Sequence, residues 1–240
     1  MTDAEKSPAN RTAGRRLIIA IDGPAGAGKS TVARCLARRF ALLNLETGAM
    51  YRAFALKALR LGIALDATPL LEQLAAGTTL RLEAGEQENR VLLDGEDVTG
   101  LIRNPEVTDA ASRVSALPSI RTWMVRQQQD LGAHGGVVME GRDIGTVVFP
   151  DAEVKIFLDA APEVRGMRRF EQMGPTATTQ AEEVIRDLRA RDERDRNRAE
   201  SPLKPAPDAV LLDSTHLTLD EVVQKAEAIV ASRIGELTAG

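Results

Sequence analysis

The segment Gly23-Pro24-Ala25-Gly26-Ala27-Gly28-Lys29-Ser30 decides the fold, because it matches the glycine-rich loop that wraps around phosphate groups. An apolar run at residues 17–21 precedes this segment, and a helical pattern follows it from near Lys29. In that context, successive backbone N–H groups at the start of the helix bind phosphate oxygens, and only glycine lets the backbone wrap closely enough. The segment therefore predicts a phosphate-binding strand, loop and helix, called the P-loop below.

The rest of the chain repeats an alternation of strand and helix patterns. Apolar runs at residues 136–139, 154–158 and 209–212 alternate with helical segments. This order is typical of a parallel sheet with helices on both faces, and a continuous apolar run indicates a strand that is buried on both faces. We predict an α/β fold in which a P-loop parallel sheet is flanked by helices.

Two stretches interrupt this alternation. Apolar and polar residues alternate between residues 78 and 95, which indicates a small antiparallel insert, and we assign residues 67–103 to an inserted subdomain. The core would then consist of residues 17–66 and 104–236. Charge is dense at residues 180–198, which predicts a helix that stands away from the core. Residues 1–16 are predicted to be a disordered polar tail.

Composition excludes several classes of protein. The 31 basic and 35 acidic side chains give a net charge of -4, so no global field attracts nucleic acid. No apolar run reaches the length of about 18 residues that spans a bilayer. The single cysteine, Cys35, excludes an intramolecular disulfide and a cysteine-based zinc cage, and it fits a reducing compartment. We expect a cytoplasmic monomer that binds neither nucleic acid nor membrane.

The P-loop brings candidate metal ligands and cations with it. Lys29 would reach the outer phosphates, and the Ser30 hydroxyl would bind Mg²⁺ directly. Glu140, at the end of a predicted strand, would hold Mg²⁺ through water. Arg52 and Arg142 also follow predicted strand ends, where ligands of open α/β sheets bind.

A run of arginines near the C-terminus strengthens the phosphate interpretation. On a helix, Arg191, Arg194, Asp195 and Arg198 lie on one face because they are three, four and seven residues apart. Transfer of a phosphoryl group onto another phosphate requires such positive charge around both anions. The alternative is a solvated helix with ion pairs such as Asp192 with Arg196.

These motifs together resemble the cytidylate kinases, a branch of the nucleoside monophosphate kinases. The resemblance rests on I-D-G-P-A-G-A-G-K-S-T at residues 21–31, T-G-A-M-Y-R at 47–52, G-R-D-I-G-T-V-V-F-P-D-A at 141–152, K-I-F-L-D-A at 155–160, R-D-x-R-D-R-N-R at 191–198, S-P-L at 201–203 and L-L-D-S-T at 211–215. It covers most of the chain after residue 16. It implies transfer of the γ-phosphoryl group from ATP to CMP and dCMP with Mg²⁺, a lid at about residues 162–198, and a monophosphate-binding role for residues 67–103.

The resemblance also implies a role for individual residues. ATP would be held by Gly23, Pro24, Ala25, Gly26, Ala27, Gly28, Lys29, Ser30 and Thr31. The catalytic cations would be Lys29, Arg142, Arg191 and Arg198. CMP would be bound by Thr47, Arg52, Ser112, Arg121, Arg142, Asp143, Arg191, Asp195 and Arg198. Within that set, Ser112, Arg121 and Asp143 would read the cytosine and Asp195 would hold the ribose. Thr47 stands where many relatives have serine, and Glu140 where many have aspartate.

Two other interpretations stay open at this point. One is a different small P-loop kinase that acts on AMP, shikimate or a coenzyme precursor. The other is a nucleotide-binding switch whose output is partner binding. The guanine-reading N-K-x-D pattern of GTPase switches does not occur in the sequence.

Overall fold

The computed structural model describes residues 17–83, 85, 89–173 and 180–239. The tail predicted for residues 1–16 lies outside the described residues. The strands are β1 (Ile18–Asp22), β2 (Leu43–Glu46), β3 (Leu80–Glu83), β4 (Arg90–Leu93), β5 (Glu96–Asp97), β6 (Val137–Gly141), β7 (Val154–Asp159) and β8 (Val210–Asp213). The helices are α1 (Lys29–Arg39), α2 (Thr47–Arg60), α3 (Thr68–Ala76), α4 (Pro105–Val114), α5 (Pro118–Gly132), α6 (Pro162–Met173), α7 (Ala181–Asn197) and α8 (Leu219–Ala239), with a π-helical turn at Ile144–Val148.

The central sheet has five parallel strands in the order β2-β6-β1-β7-β8, which confirms the predicted fold class. The middle strand, β1, is buried along its whole length. Its alternate side chains pack on opposite faces: Ile19 and Ile21 belong to the core with α1 and α8, whereas Ile18 and Ala20 face the π-helical turn. The continuous apolar run at residues 17–21 thus has the meaning predicted for it.

Strand β2 was predicted only as a strand end before Arg52, without bounds and without an apolar run. Its four residues contain Asn44 and Glu46 and form no apolar run, and Leu43 is exposed. Among the described residues, the strand lies at the edge of the sheet and has β6 as its one neighbour. Parallel pairing on β6 fixes this segment, and it places Glu46 beside Glu140.

The predicted antiparallel insert is present as a three-stranded sheet in the order β3-β4-β5. Its side chains do not form a core of their own. Leu80 and Val91 belong to the same apolar cluster as Phe54 of α2 and Met124 of α5, and the ring of Phe54 lies 5.2 Å from that of Trp123. The described part of residues 67–103 is therefore packed into one body with α2, α4 and α5. The subdomain boundaries themselves remain a prediction.

Helices α6 and α7 pack on each other and carry the segment predicted as a lid, of which residues 174–179 lie outside the described part. Helix α7 confirms the helix predicted at residues 180–198. Its charge pattern suggested a helix well away from the core, but Val184 and Leu188 form a small apolar cluster with Ala25 of the P-loop and Phe170 of α6. The helix therefore touches the P-loop directly. Within the described residues, no helix is both long enough and apolar enough to cross a membrane.

Candidate active site

The P-loop lies at the carboxyl edge of the sheet, between β1 and the first residue of α1. Gly23 has φ +148°, and a Cβ atom there would lie 1.9 Å from the carbonyl oxygen of Leu158, so no other residue fits. Gly28 has φ +94° and accepts hydrogen bonds from the backbone N–H groups of Thr31 and Val32 at 3.1 Å each. Helix α1 thus begins at Lys29, as predicted, with its N-terminus facing the loop.

Lys29 is a buried ammonium inside this loop. Its side chain is 5% exposed, and Nζ donates a hydrogen bond to the carbonyl oxygen of Pro24 at 2.7 Å. Burial, together with the nearby guanidinium groups of Arg142 and Arg191, lowers the pKa of Lys29 to about 7. The charged form of Lys29 is therefore destabilised in the free protein, and a bound anion would stabilise it.

Ser30 and Glu140 form the candidate metal site. The Ser30 hydroxyl donates to Oε1 of Glu140 at 2.6 Å, so the two oxygens converge on one point beside the P-loop. Burial, and then the neighbouring carboxylate of Glu46, raises the pKa of Glu140. No group of three or more His, Cys, Asp or Glu side chains suited to a metal occurs in residues 17–83, 85, 89–173 or 180–239. A hydroxyl and one carboxylate fit Mg²⁺, which takes few protein ligands and completes its shell with water and phosphate oxygens.

Asp22, the last residue of β1, was missed by the sequence analysis. Its carboxylate accepts hydrogen bonds from the backbone N–H groups of Ile144 at 2.8 Å and Gly145 at 2.7 Å. Burial raises the pKa of Asp22 to about 6 against the effect of these two bonds. The side chain anchors the turn that directly follows Arg142 and Asp143. A charged residue ending an otherwise apolar strand was the available signal.

Arginines surround a buried carboxylate on the side of the site formed by α7. Arg142 Nε donates to Asp195 Oδ2 at 2.9 Å, and Arg198 Nη1 lies 3.6 Å from Asp195 Oδ1. Arg198 Nε donates to the carbonyl oxygen of Ser201 at 2.6 Å. These three charged side chains were all predicted to contact the substrate, and they lie side by side.

Several guanidinium N–H groups in this cluster have no acceptor within the described ranges. Arg191 Nε, Arg198 Nη2 and Arg52 Nε are buried and have no hydrogen-bond partner among the residues that the structure describes. Burial and then Arg142 lower the pKa of Arg191 to about 10. Because buried donors are normally satisfied, this set of guanidinium groups is suited to an anion with several acceptor oxygens. Arg52 also forms an ion pair with Glu46.

One detail of the predicted arginine face was wrong, and Asp192 has a different partner from the one named in the alternative interpretation. Arg194 is exposed and lies 3.6 Å from the carboxylate of Asp109, so it lies on the surface and does not share the partly buried environment of Arg142, Arg191 and Arg198. Asp192 is buried and pairs with Arg165 of α6 at 2.6 Å instead of with Arg196. The partners come from other helices, Asp109 from α4 and Arg165 from α6, so the charge pattern of α7 alone does not contain them.

A second polar group lies between α2, α4 and α5. Arg121 is 3% exposed; its Nη1 donates to the carbonyl oxygen of Ser115 at 3.0 Å and to the Tyr51 hydroxyl at 3.2 Å, and its Nη2 lies 2.9 Å from Asp143 Oδ2. The guanidinium lies over the Tyr51 ring, 5.7 Å from its centroid. Burial raises the pKa of Tyr51 to about 12, so the phenol keeps its proton.

This second group also contains polar atoms suited to a ligand. Ser112 Oγ and Arg121 Nε are buried without a hydrogen-bond partner in the described part of the chain. Tyr51 was not predicted, although it lies inside the T-G-A-M-Y-R segment. The Thr47 hydroxyl donates to the carbonyl oxygen of Glu140 at 2.8 Å, so it links the first residue of α2 to β6.

The candidate residues therefore converge on the carboxyl edge of the sheet from five separate segments. The P-loop, the end of β6, α2, α5 and the end of α7 all contribute charged side chains that interact electrostatically with one another. The sequence model of the cytidylate kinase protein family matches residues 19–232, a range that includes every one of these segments.

The chain belongs to the cytidylate kinase family. It is 48% identical over 224 residues to a cytidylate kinase of Solibacter usitatus (strain Ellin6076), covering 92% of this chain and 94% of that one. It is 50% identical over 222 residues to a bifunctional pantoate ligase/cytidylate kinase of Synechococcus sp. (strain JA-3-3Ab), covering 91% of this chain but 41% of that protein. The chain thus spans less than half of the bifunctional relatives and nearly all of the single-function ones.

The similarity of this chain to a solved gluconokinase structure is weak. A gluconokinase from Sinorhizobium meliloti 1021 superposes with a TM-score of 0.48 at 15% identity, covering 95% of this chain and 97% of that one. A likeness of this strength does not bear on the substrate.

Proposed function

We propose that this cytidylate kinase family member transfers the γ-phosphoryl group of ATP to CMP, giving CDP and ADP, and that dCMP is a second acceptor. The observation that carries the proposal is that the partly buried guanidinium groups of Arg142 and Arg191 lie near the P-loop lysine, Lys29. Arg198 shares the carboxylate of Asp195 with Arg142. Membership of the family favours CMP over AMP, shikimate or a coenzyme precursor, and it favours a kinase over a nucleotide switch.

ATP binds along the P-loop in this proposal, held by backbone N–H groups of residues 23–31. Lys29 moves from the carbonyl oxygen of Pro24 to the outer phosphates, because a phosphate oxygen is the stronger acceptor. Ser30 would bind Mg²⁺ directly and Glu140 would hold it through water, and a bound ion would offset charge on the phosphates of ATP.

The phosphate of CMP binds between the arginines. Arg52, Arg142, Arg191 and Arg198 supply unpaired or partly paired N–H groups, and Asp195 keeps two of these guanidinium groups in position while facing the ribose. A CMP phosphate oxygen forms a bond to the γ-phosphorus as the bond to the bridging oxygen of ADP breaks. That oxygen is already anionic, so we assign no general base and no covalent intermediate. The arginines and Lys29 offset the charge of the two anions.

The cytosine is read by the second polar group. Asp143 accepts a hydrogen bond from the exocyclic N4 amine, while Arg121 donates to the ring acceptors and Ser112 supplies its free hydroxyl. Uracil presents a carbonyl where cytosine presents that amine, so the carboxylate would face an acceptor. A desolvated unpaired acceptor costs about 1 to 3 kcal/mol, which corresponds to a preference for CMP of about fivefold to more than a hundredfold.

Replacing Asp143 with alanine is therefore expected to compress the ratio of kcat/KM for CMP to kcat/KM for UMP by about tenfold. Both substrates are measured on the same preparation, so any loss of folded protein cancels from the ratio. Asp109→Ala is the matched control, because Asp109 also pairs with an arginine but lies on the surface. A ratio in Asp143→Ala equal to that of the wild type would mean that Asp143 does not read the base.

The lowered pKa of Lys29 gives a prediction on pH. A pKa of about 7 leaves most of the free protein with a neutral amine at pH 8, and bound phosphates favour the charged form. ATP binding at pH 8 should therefore take up about one proton, and its affinity should fall as pH rises above 7. Calorimetric titrations in buffers of different ionisation enthalpy measure this uptake, which should shrink toward pH 6. A binding enthalpy that is independent of the buffer at pH 8 would contradict it.

The function itself is tested by ADP release across the common nucleoside monophosphates. CMP and dCMP should give the largest kcat/KM, with stoichiometric formation of the diphosphate. A faster reaction with AMP, or ATP turnover that needs no acceptor, would overturn the proposal and restore one of the other interpretations.

A further inference from the structure

Arg165 of α6 is almost completely buried, with 1% of its side chain exposed, and its guanidinium binds three separate segments. Nε donates to the carbonyl oxygen of Ala160 at 2.8 Å, just beyond β7. Nη1 donates to the carbonyl oxygen of Ala25 in the P-loop at 2.8 Å. Nη2 lies 2.6 Å from Asp192 Oδ2 in α7. One planar group thus connects the sheet edge, the phosphate loop and the lid helix.

The bond to Ala25 fixes the orientation of a P-loop peptide. In a trans peptide the C=O and the following N–H point in opposite directions. Because Arg165 holds the carbonyl of Ala25, the N–H of Gly26 is directed away from Arg165. A P-loop binds phosphate through such aligned N–H groups, so an anchored carbonyl preorganises the loop.

The partner of Arg165 lies in the segment of α7 that carries the substrate arginines. Asp192 directly follows Arg191 and comes three residues before Asp195. The two helices are in tight contact beside the pair, because a Cβ atom on Gly166 would lie 2.2 Å from Ile185 Cγ1. A shift of α7 therefore moves Asp192 relative to Arg165, and with it the P-loop peptide.

We propose that Arg165 is a positioning residue that, through its ion pair with Asp192, couples the backbone of the P-loop to the arginine-bearing end of α7. The pair makes the ATP-binding conformation of the loop depend on the position of the helix that contacts CMP. The role rests on the proposed function only in taking ATP as the ligand of the P-loop.

The test compares two ion pairs that join the same two helices. Asp192→Asn weakens the buried pair without touching the P-loop, and Arg165→Lys keeps the charge but cannot reach three acceptors at once. Arg189→Gln is the matched control, since it removes the exposed pair with Glu163, and surface pairs contribute little. The Kd of ATP and the Kd of CMP are measured separately by calorimetry, with Tm measured on the same samples.

We expect Asp192→Asn and Arg165→Lys to raise the Kd of ATP by about tenfold or more, as loss of a charge-assisted hydrogen bond would. CMP binding to the free protein should change by less than about threefold, and Arg189→Gln should change neither constant. A rise in the Kd of ATP in Asp192→Asn is the decisive result, because Asp192 does not contact the P-loop itself and reaches it only through Arg165. A folded Asp192→Asn protein with the Kd of the wild type for ATP would overturn the coupling.

Loss of one partner of a buried pair also destabilises a fold, so a second variant separates the two effects. Arg165→Met combined with Asp192→Leu replaces both charges with apolar side chains, which buried pairs often tolerate without loss of stability. The double variant should keep the Tm of the wild type and still bind ATP about tenfold more weakly. Wild-type affinity in this variant would overturn the proposal. A wild-type protein that binds no ATP would contradict the proposed function as well, which distinguishes the two failures.

Discussion

Replacing Lys29 with alanine is expected to lower kcat by about 10³-fold, which would be the largest effect of any single substitution considered. Lys29 is the P-loop cation, and its buried ammonium can move only a short distance from Pro24 to a phosphate oxygen. Its contribution is greatest when charge develops on the transferred phosphoryl group, so kcat should fall more than the affinity for CMP. Initial rates of ADP formation at saturating ATP and CMP measure this effect.

The same substitution should not unfold the protein. A buried amine whose pKa is lowered by burial is a source of instability, so its removal should leave Tm unchanged or raise it. Arg38→Ala, an exposed position in the last turn of the same helix, serves as a control for changes to α1. A folded Lys29→Ala protein that keeps the turnover of the wild type would refute the assignment of the P-loop as the phosphate-binding site.

Replacing Arg191 with alanine is expected to reduce kcat/KM by more than about 10²-fold, because a charge-assisted contact to phosphate is lost in a buried site. Arg191 is half-buried beside Arg142 and Arg52, whose charges repel its own, and its buried Nε has no hydrogen-bond partner among the described residues. Arg191→Ala removes the repulsion between Arg191 and the neighbouring arginines, so it should raise the Tm of the free protein while it abolishes most of the activity. Steady-state kinetics and thermal unfolding of the free protein measure the two opposite effects.

Arg194→Ala supplies the control within the same helix. Arg194 is exposed and pairs with Asp109, so its loss should change kcat/KM by no more than a factor of about three. Arg198→Ala should resemble Arg191→Ala in its kinetics, because Arg198 also holds an unpaired N–H group in the site. Equal, small effects at all three positions would mean that this end of α7 is a solvated surface after all.

The sheet could be predicted largely because apolar runs report burial on both faces. Strands β1, β6, β7 and β8 all lie within one or two residues of their predicted positions. Strand β2 could not be found in this way, since an edge strand with Asn44 and Glu46 owes its place to pairing with β6 and not to its own composition. The position of Glu46 beside Glu140, and the effect on the pKa of Glu140, followed from that pairing.

The candidate site divides along similar lines. Residues inside short motifs, such as Lys29, Arg142 and Arg191, could be proposed from the sequence because the motif itself carries the phosphate chemistry. Asp22 and Arg165 could not, because they act on backbone groups of residues more than a hundred positions away along the chain. Single charged side chains have no sequence pattern that identifies a distant carbonyl or amide as their partner, and only the packing of β1 and α6 supplies it.

The apolar cluster that unites the insert with α2, α4 and α5 has a consequence for protein engineering. Tyr51, Ser112 and Arg121 all belong to helices of that body, and Ser112 and Arg121 are proposed to read the base. The spacing of these side chains therefore depends on contacts made by Leu80 and Val91 of the insert. In a chimaera that exchanges only residues 67–103 for those of a relative, the apolar side chains of the new insert would no longer match those of α2, α4 and α5 in the shared core. Transplanting the insert together with the facing surfaces of the three helices would preserve that core, and with it the spacing of the side chains proposed to read the base.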